Sequence, residues 1–307
     1  MRMRITSLNI KGRMSGNINK WQRIPQIMRD NRIGVMAIQE AHITNDVKTD
    51  FNNLFGNALL LIHSPNPETR IARGVAFVIN KSLVRTDDIK LDTIVPGRAL
   101  LLSTPWKNDT RLTFLNIYMP NAPVEAREFW TMVREGLRGI SPAKPDVMLG
   151  DFNIVEDALD RIPCSPGDPQ STERLRSIRN EFNLIDGWRV ANPEGKGYTW
   201  MRESDRYQSR LDRIYIRQEM FNECTEWTIS IPPIPTDHNI VSANIATSSD
   251  PTIGRGRWVI PTQLVKNKKT KPIIQQLGLK LQRQLVSGLN SLMTYFASED
   301  EGLRGIN

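Results

Sequence analysis

The chain has 307 residues, 39% of them hydrophobic, a size and composition that suit one large globular domain or two ordinary ones. No stretch approaches the roughly eighteen consecutive apolar residues of a membrane span, and the opening "MRMRITSLNI" is too polar and strand-like for a secretory signal, so an intracellular protein is expected. The net charge of +8 suggests a polyanionic partner, but residues 251 to 307 hold nine Lys or Arg against three Asp or Glu, so most of the basic excess lies in the tail.

From residue 1 to about 246, aliphatic and β-branched runs alternate with polar, Pro- or Gly-bearing connections, and these runs predict strands. "MRITSLNI" (3 to 10) carries Asn9 at its end, with Lys11 following and Gly12 letting the chain turn away. Residues 20 to 32 then set Trp21, Ile24, Ile27 and Met28 on one helical face. "GVMAIQE" (34 to 40) ends in Gln39 and Glu40, and "GVAFVIN" (74 to 80) follows it. "RLTFLNIYM" (111 to 119) carries Asn116 and Tyr118, and a helix is predicted over 123 to 138 from Phe129, Val133 and Leu137. "DVMLGDF" (146 to 152) delivers Asp151, with Asn153 just beyond, before a helical segment (171 to 183) that repeats Leu175, Ile178 and Phe182. "RLDRIYI" (210 to 216) holds Asp212, and Asp237 with His238 opens the last strand, "NIVSANI" (239 to 245).

Strands and helices mixed over this length predict a four-layer α/β sandwich, two packed β-sheets flanked by helices, as a single domain over residues 1 to 246. A composition break follows at "TSSDPTIGRGR", and residues 247 to 272, ending in "VKNKKTKP", are expected to form a basic linker. Over 273 to 307, Ile274, Leu277, Leu281, Leu285, Leu289, Leu292 and Phe296 recur at helical spacing. That amphipathic tail must bury its stripe against the domain, a partner or a segment missing from the chain.

Cys164 and Cys224 form no spaced cluster and His42, His63 and His238 are far apart in sequence, which argues against a structural zinc site. The polar residues at the strand ends are the informative ones. Singly, each has an ordinary explanation: "GDFN" reads as a turn that bonds its own backbone, and a lone histidine is usually satisfied locally. Collectively, so many polar groups near strand ends cost free energy unless they satisfy one another or an ion. Carboxylates and amides with one candidate imidazole suit Mg²⁺ or Mn²⁺, which prefer hard oxygen ligands, and Asp212 or Asp237 is available to orient His238. A metal with a His/Asp pair is equipment for phosphoryl transfer.

In order and spacing, "SLNIKG", "IQEAH", "LNIYMPN", "GDFNIV", "RLDRIYI" and "TDHNIV" resemble the endonuclease/exonuclease/phosphatase family, which includes deoxyribonuclease I and the apurinic endonucleases, over residues 4 to about 246. The resemblance implies that Glu40 is the main metal-binding carboxylate, with Asn9 beside it and Asp237 completing the metal region. It implies that Asp151 orients or deprotonates the attacking water, and that Asn153 and Tyr118 hold the scissile phosphate. His238 would stabilise charge in the transition state, oriented by Asp212. "LNIKGR", "IQEAHIT" and the "GRGRWVIP" that follows the domain are more narrowly similar to the endonuclease of non-LTR, LINE-type retrotransposons. No reverse transcriptase follows, so a truncated or domesticated retroelement endonuclease is expected, with DNA as its partner and the nucleus as its compartment. Arg202, Arg206, Arg210, Arg213 and Arg217 would then contact DNA phosphates, or else form a solvated charged loop.

Lys11 departs from many relatives, which carry Asp or Asn there. It is expected to point away or to assist phosphate binding, while competition with the metal is the third outcome. Two other functions stay open: a phosphatase or phosphodiesterase of inositol phosphates or phospholipids on the same fold, and a catalytically silent retroelement remnant. Oligomeric state is not legible.

Overall fold

A computed structural model describes residues 2–16, 18–65, 74–107, 110–140, 144–202 and 207–246, with Pro272 and Gln276 beyond them. The chain divides into two compact units at Pro251. Apart from Pro272 and Gln276, the expected basic linker and amphipathic tail lie outside the described residues.

In chain order, the first half runs β1 (Arg2–Asn9), a small hairpin of β2 (Met14–Ser15) and β3 (Ile18–Asn19), α1 (Ile24–Asp30), β4 (Ile33–Gln39), α2 (Asn45–Phe55), β5 (Leu59–Ser64) and β6 (Val75–Asn80). Next come β7 (Lys90–Val95), β8 (Ala99–Pro105), β9 (Arg111–Tyr118), α3 (Pro123–Arg138), β10 (Val147–Asp151) and β11 (Arg161–Ile162). The rest is α4 (Pro169–Glu181), β12 (Leu184–Asp186), α5 (Gly187–Ala191), β13 (Trp200–Arg202), β14 (Tyr207–Ser209), β15 (Asp212–Arg217), β16 (Cys224–Ser230) and β17 (Ile240–Ala246).

Two six-stranded mixed sheets result, ordered β16-β17-β1-β4-β6-β5 and β12-β15-β10-β9-β8-β7. Their facing sides bury Ile5, Val35, Phe77, Leu102, Phe114, Leu149 and Val241 in one core. On the outside of the first sheet, α1 and α2 cover Met36 and Ile38 with Ile24, Ile27, Met28, Val47 and Phe51. On the outside of the second, α3 and α4 cover Leu115 and Met148 with Phe129, Trp130, Val133, Leu175 and Ile178. This is the four-layer α/β sandwich expected. Central strands such as β4 and β10 are buried at every residue because both their faces are covered, which is why they read as unbroken apolar runs. The polar sequence of α2 carries only Val47 and Phe51 inward, too few to announce a helix in advance. Among the described residues no helix is long and apolar enough to cross a membrane.

Register brings the strand ends together. Parallel pairing sets Asn9 beside Gln39 and Tyr118 beside Asp151, and antiparallel pairing sets Asp151 beside Asp212. Gly150 makes the close approach possible: its φ is +146°, and a Cβ there would lie 1.9 Å from the carbonyl oxygen of Ile117 on β9. Gly150→Ala therefore must separate β10 from β9 next to Asp151. Chemical denaturation should register a loss of roughly 2 kcal/mol or more, and a loss within about 0.5 kcal/mol would mean that the two strands are not in contact as described.

Candidate active site

The site opens at one end of both sheets and starts from Asn9. Its side-chain Nδ2 donates to Glu40 Oε1 at 3.0 Å and to Asp151 Oδ2 at 2.8 Å, while its Oδ1 accepts from the Lys11 amide at 2.9 Å. Turning the amide over would set an oxygen against two carboxylates and an NH₂ against an N–H, so the network fixes its orientation. Asn9 therefore bridges two carboxylates with its nitrogen, and its oxygen takes a hydrogen bond from the turn at Lys11. Thr236 Oγ1 donates to the Asn9 carbonyl at 2.9 Å and holds the last connection, with Asp237 and His238, against the end of β1.

His238 is buried, and its Nδ1 lies 2.9 Å from Asp212 Oδ2. Its Nε2 is 4.0 Å from both Asp151 Oδ2 and Asp237 Oδ1. Burial disfavours a charge on the imidazole, but Asp212, Asp151 and Asp237 outweigh it and raise its pKa to about 10. Asp151 is pushed up to about 6, first by burial and then by the negative charge of Asp212. Asp212 is held by the Thr199 hydroxyl, which accepts from the amides of Leu211 and Asp212 at 2.9 Å each.

Tyr118 ends β9 with its ring under the Arg98 guanidinium, 5.2 Å from the ring centroid. Burial, Glu40 and Asp151 raise the pKa of its phenol well above the ordinary range, so it stays a donor. Asn153, in the left-handed region at φ +47°, donates its amide to Asp151 Oδ1 at 3.1 Å and its Nδ2 to the Met119 carbonyl at 2.8 Å. All eight residues expected to be catalytic, Asn9, Glu40, Tyr118, Asp151, Asn153, Asp212, Asp237 and His238, thus lie in one continuous web of contacts.

The arginines divide. Arg202 lines a cleft of about 720 Å³ beside the site, together with Lys11, Met14, Lys20, Trp200 and Asp237. Arg206 lies outside the described residues, and Arg217 pairs with Asp146 at 2.9 Å. Arg210 and Arg213 are buried, which corrects the expectation that they reach DNA. Arg210 donates to Asp160 at 2.8 and 3.0 Å and to Asp186 at 2.7 Å. Arg213 donates to Asp160 at 3.1 Å and to the Ile154 carbonyl at 2.8 Å, and Arg189 adds a third partner to Asp160. These bonds clamp the segment after Asn153 to the strand that carries Asp212. Lys11 does not point away: its Nζ bonds Asp237 Oδ2 at 2.7 Å, and Trp200 Nε1 bonds the same oxygen at 3.1 Å. Trp200, Thr199 and Asp160 were not legible as site residues, because an indole in a strand, a threonine in the bend before it and an aspartate at the end of a short 3₁₀ helix carry no spacing signal.

Among the described residues, two carboxylate oxygens, Asp212 Oδ1 and Asp237 Oδ1, are buried without a hydrogen-bond partner, and ligand atoms of Asp151, Asp212 and His238 lie within 4.8 Å of one another. At the same mouth the Glu40 carboxylate is bonded by neutral donors, Asn9 Nδ2 and the Tyr118 phenol, and an anionic oxygen ligand so placed suits a hard divalent cation, so the residues present fit the metal that the sequence suggests.

The profile of the endonuclease/exonuclease/phosphatase family matches residues 7–250. The transposon TX1 uncharacterized 149 kDa protein of Xenopus laevis is 28% identical over 249 residues, which is 80% of this chain and 18% of that protein; the chain thus spans less than a fifth of its length. Among solved structures, the 3′ phosphatase NExo from Neisseria, bound to a product DNA hairpin, aligns with a TM-score of 0.63 at 19% identity, covering 80% of this chain and 99% of that one. The endonuclease domain of TRAS1, a telomere-specific non-LTR retrotransposon, aligns with a TM-score of 0.58 at 15% identity, covering 80% of this chain and all (100%) of that domain.

The Asp160 clamp yields a stability prediction. Burial opposes the charge on Asp160, yet Arg213, Arg210 and Arg189 hold its pKa well below the usual carboxylate range. Its contribution is complete above the unfolded-state value of about 4 and is lost as pH falls through the depressed folded value. Asp160→Asn leaves buried guanidinium groups under-compensated and should cost about 3–5 kcal/mol in denaturant unfolding at pH 7. The deficit relative to wild type should shrink below pH 4 or so, and a deficit independent of pH would show that charge is not the cause.

Proposed function

Since the chain belongs to the endonuclease/exonuclease/phosphatase family, we propose that it is a metal-dependent endonuclease that nicks DNA and derives from a non-LTR retrotransposon. The observation that carries this reading is His238: Nδ1 is bound to Asp212, and Nε2 faces the gap between Asp151 and Asp237 at 4.0 Å from each. That gap is where a phosphodiester would be attacked.

Asp212 keeps the Nδ1 proton in place, so Nε2–H is the donor aimed at a phosphate oxygen. Tyr118 and Asn153 supply further donors from the β9 and β10 ends. Asp151, with a pKa of about 6, is mostly ionised at neutral pH and basic enough to orient water and take its proton. Water oxygen bonds to phosphorus, the bond from phosphorus to the 3′ oxygen breaks, and the departing oxygen takes a proton from solvent to leave a 3′-hydroxyl. Glu40, half-buried at the mouth, is the carboxylate that would hold Mg²⁺ or Mn²⁺, and such an ion would supply positive charge to offset that of the phosphate and the leaving oxygen. Asp212 and His238 already bond each other, so their grouping with Asp151 serves proton handling rather than ion binding.

DNA as substrate is supported by the family, by the DNA-bound phosphatase of the same fold and by the transposon relative. The cleft beside the site is lined by the exposed cationic side chains of Lys11 and Arg202, whose charge favours a phosphate backbone. With DNA as substrate, the nucleus is the compartment this reading implies.

Purified protein should relax supercoiled plasmid to the nicked form with Mg²⁺ and not with EDTA. Glu40→Ala and His238→Ala should each slow nicking by about 100-fold or more. Relaxation that persists in either variant or in EDTA would defeat the assignment, and phosphate release from an inositol phosphate without any nicking would transfer the site to the other substrate class.

A further inference from the structure

Lys11 has a left-handed backbone, φ +50°, unusual for a residue with a side chain. Its amide donates to Asn9 Oδ1 at 2.9 Å, and the following amide, of Gly12, donates to the Glu40 carbonyl at 3.0 Å. Beneath the turn lies Lys20, only 2% exposed, whose ammonium donates to the carbonyls of Ile10 at 2.6 Å and Lys11 at 3.2 Å. A buried lysine committed to two carbonyls is an expensive way to hold a turn unless the direction of the turn matters. The direction sends Lys11 Nζ to Asp237 Oδ2, where the Trp200 indole completes that oxygen's bonding.

We infer that the Lys11 ammonium is a built-in counter-ion of Asp237, standing where a second cation would bind, so that the chain takes up one divalent ion, at Glu40, and not two. The inference rests on the metal-dependent reading of the site. Asp237 Oδ2 is satisfied by Lys11 and Trp200, and only Oδ1, facing His238, is left. A divalent ion bound at that remaining oxygen would sit close to an ammonium held 2.7 Å from its neighbour and be repelled by it. An ammonium has one charge and no coordination position, so it neutralises Asp237 without polarising a ligand as a metal does. Asp237 remains in place as a negative neighbour of His238 while being closed to metal.

The full chain, stripped of metal with EDTA and dialysed, is titrated with Mn²⁺ alone, and free Mn²⁺ is counted by electron paramagnetic resonance. One ion per chain is expected for the wild type and none for Glu40→Gln. Two are expected for Lys11→Asn and for Lys11→Met, with the count returning to one when Asp237→Asn is added to either. Circular dichroism verifies that each variant is folded before its count is taken. Two ions on the wild type, or one on both Lys11 variants, would overturn the inference and leave the Glu40 site standing. No ion on the wild type or on any variant would instead overturn the metal-dependent reading from which it starts.

Discussion

The site depends on two hydrogen bonds made by one amide. Asn9 Nδ2 joins Glu40, at the end of a first-sheet strand, to Asp151, at the end of a second-sheet strand. Each sheet delivers carboxylates to the same opening, and without a donor between them these charges would drive the two sheet ends apart. Amide nitrogen is suited to the place because it gives two N–H groups in a fixed plane and adds no charge. The rest of the mouth follows from that spacing: with Asp151 fixed, His238 reaches Asp212 on one side and faces Asp151 and Asp237 on the other.

Behind the mouth, polar groups are spent on rigidity. Gln39 donates to Asn116 at 2.7 Å and to Ser7 at 3.1 Å, and Asn116 donates across the core to the carbonyls of Ile38 and Ala76. These buried amides bolt β9 of one sheet to β4 and β6 of the other, one layer below the reactive groups. The Asp160 cluster does the same for the segment after Asn153. Neither arrangement is the most stable use of a buried volume, since well-packed apolar side chains often do as well or better. What they provide is fixed direction, which a site built from separate strands needs if its donors are to meet one phosphate without reorganising.

This explains which parts were legible in the sequence. Asn9, Glu40, Tyr118 and Asp151 stand out because an apolar run ends in a polar group, and His238 because a polar pair opens one, and the local pattern alone signals that. The layers were legible for the same reason, in α3 and α4 as much as in the strands. Arg210 and Arg213 read as surface charge because their partner, Asp160, lies 50 or more residues earlier and no local pattern connects them. Trp200 and Thr199 act through an indole N–H and a hydroxyl on residues that any strand favours, so their sequence is indistinguishable from ordinary packing. Lys11 was visible as an anomaly, but the direction of its side chain is set by Lys20 and Trp200, one nine residues away and the other on a distant strand.

Charge at the mouth is therefore divided between two kinds of counter-ion. On the Asp237 side, the sequence supplies a permanent cation, Lys11, held by a turn that Lys20 stabilises from below. On the Glu40 side the donors to the carboxylate, Asn9 Nδ2 and the Tyr118 phenol, are neutral, so its charge is left for something that arrives from solution. On the proposed reading the substrate is an anionic phosphodiester, which would approach a mouth that already holds Glu40, Asp151, Asp212 and Asp237. The positive charges of Lys11, Lys20 and Arg202 along the cleft offset part of that repulsion. The remaining repulsion is concentrated at Glu40, so the metal requirement proposed for this site and the placement of Lys11 would both follow from one electrostatic balance.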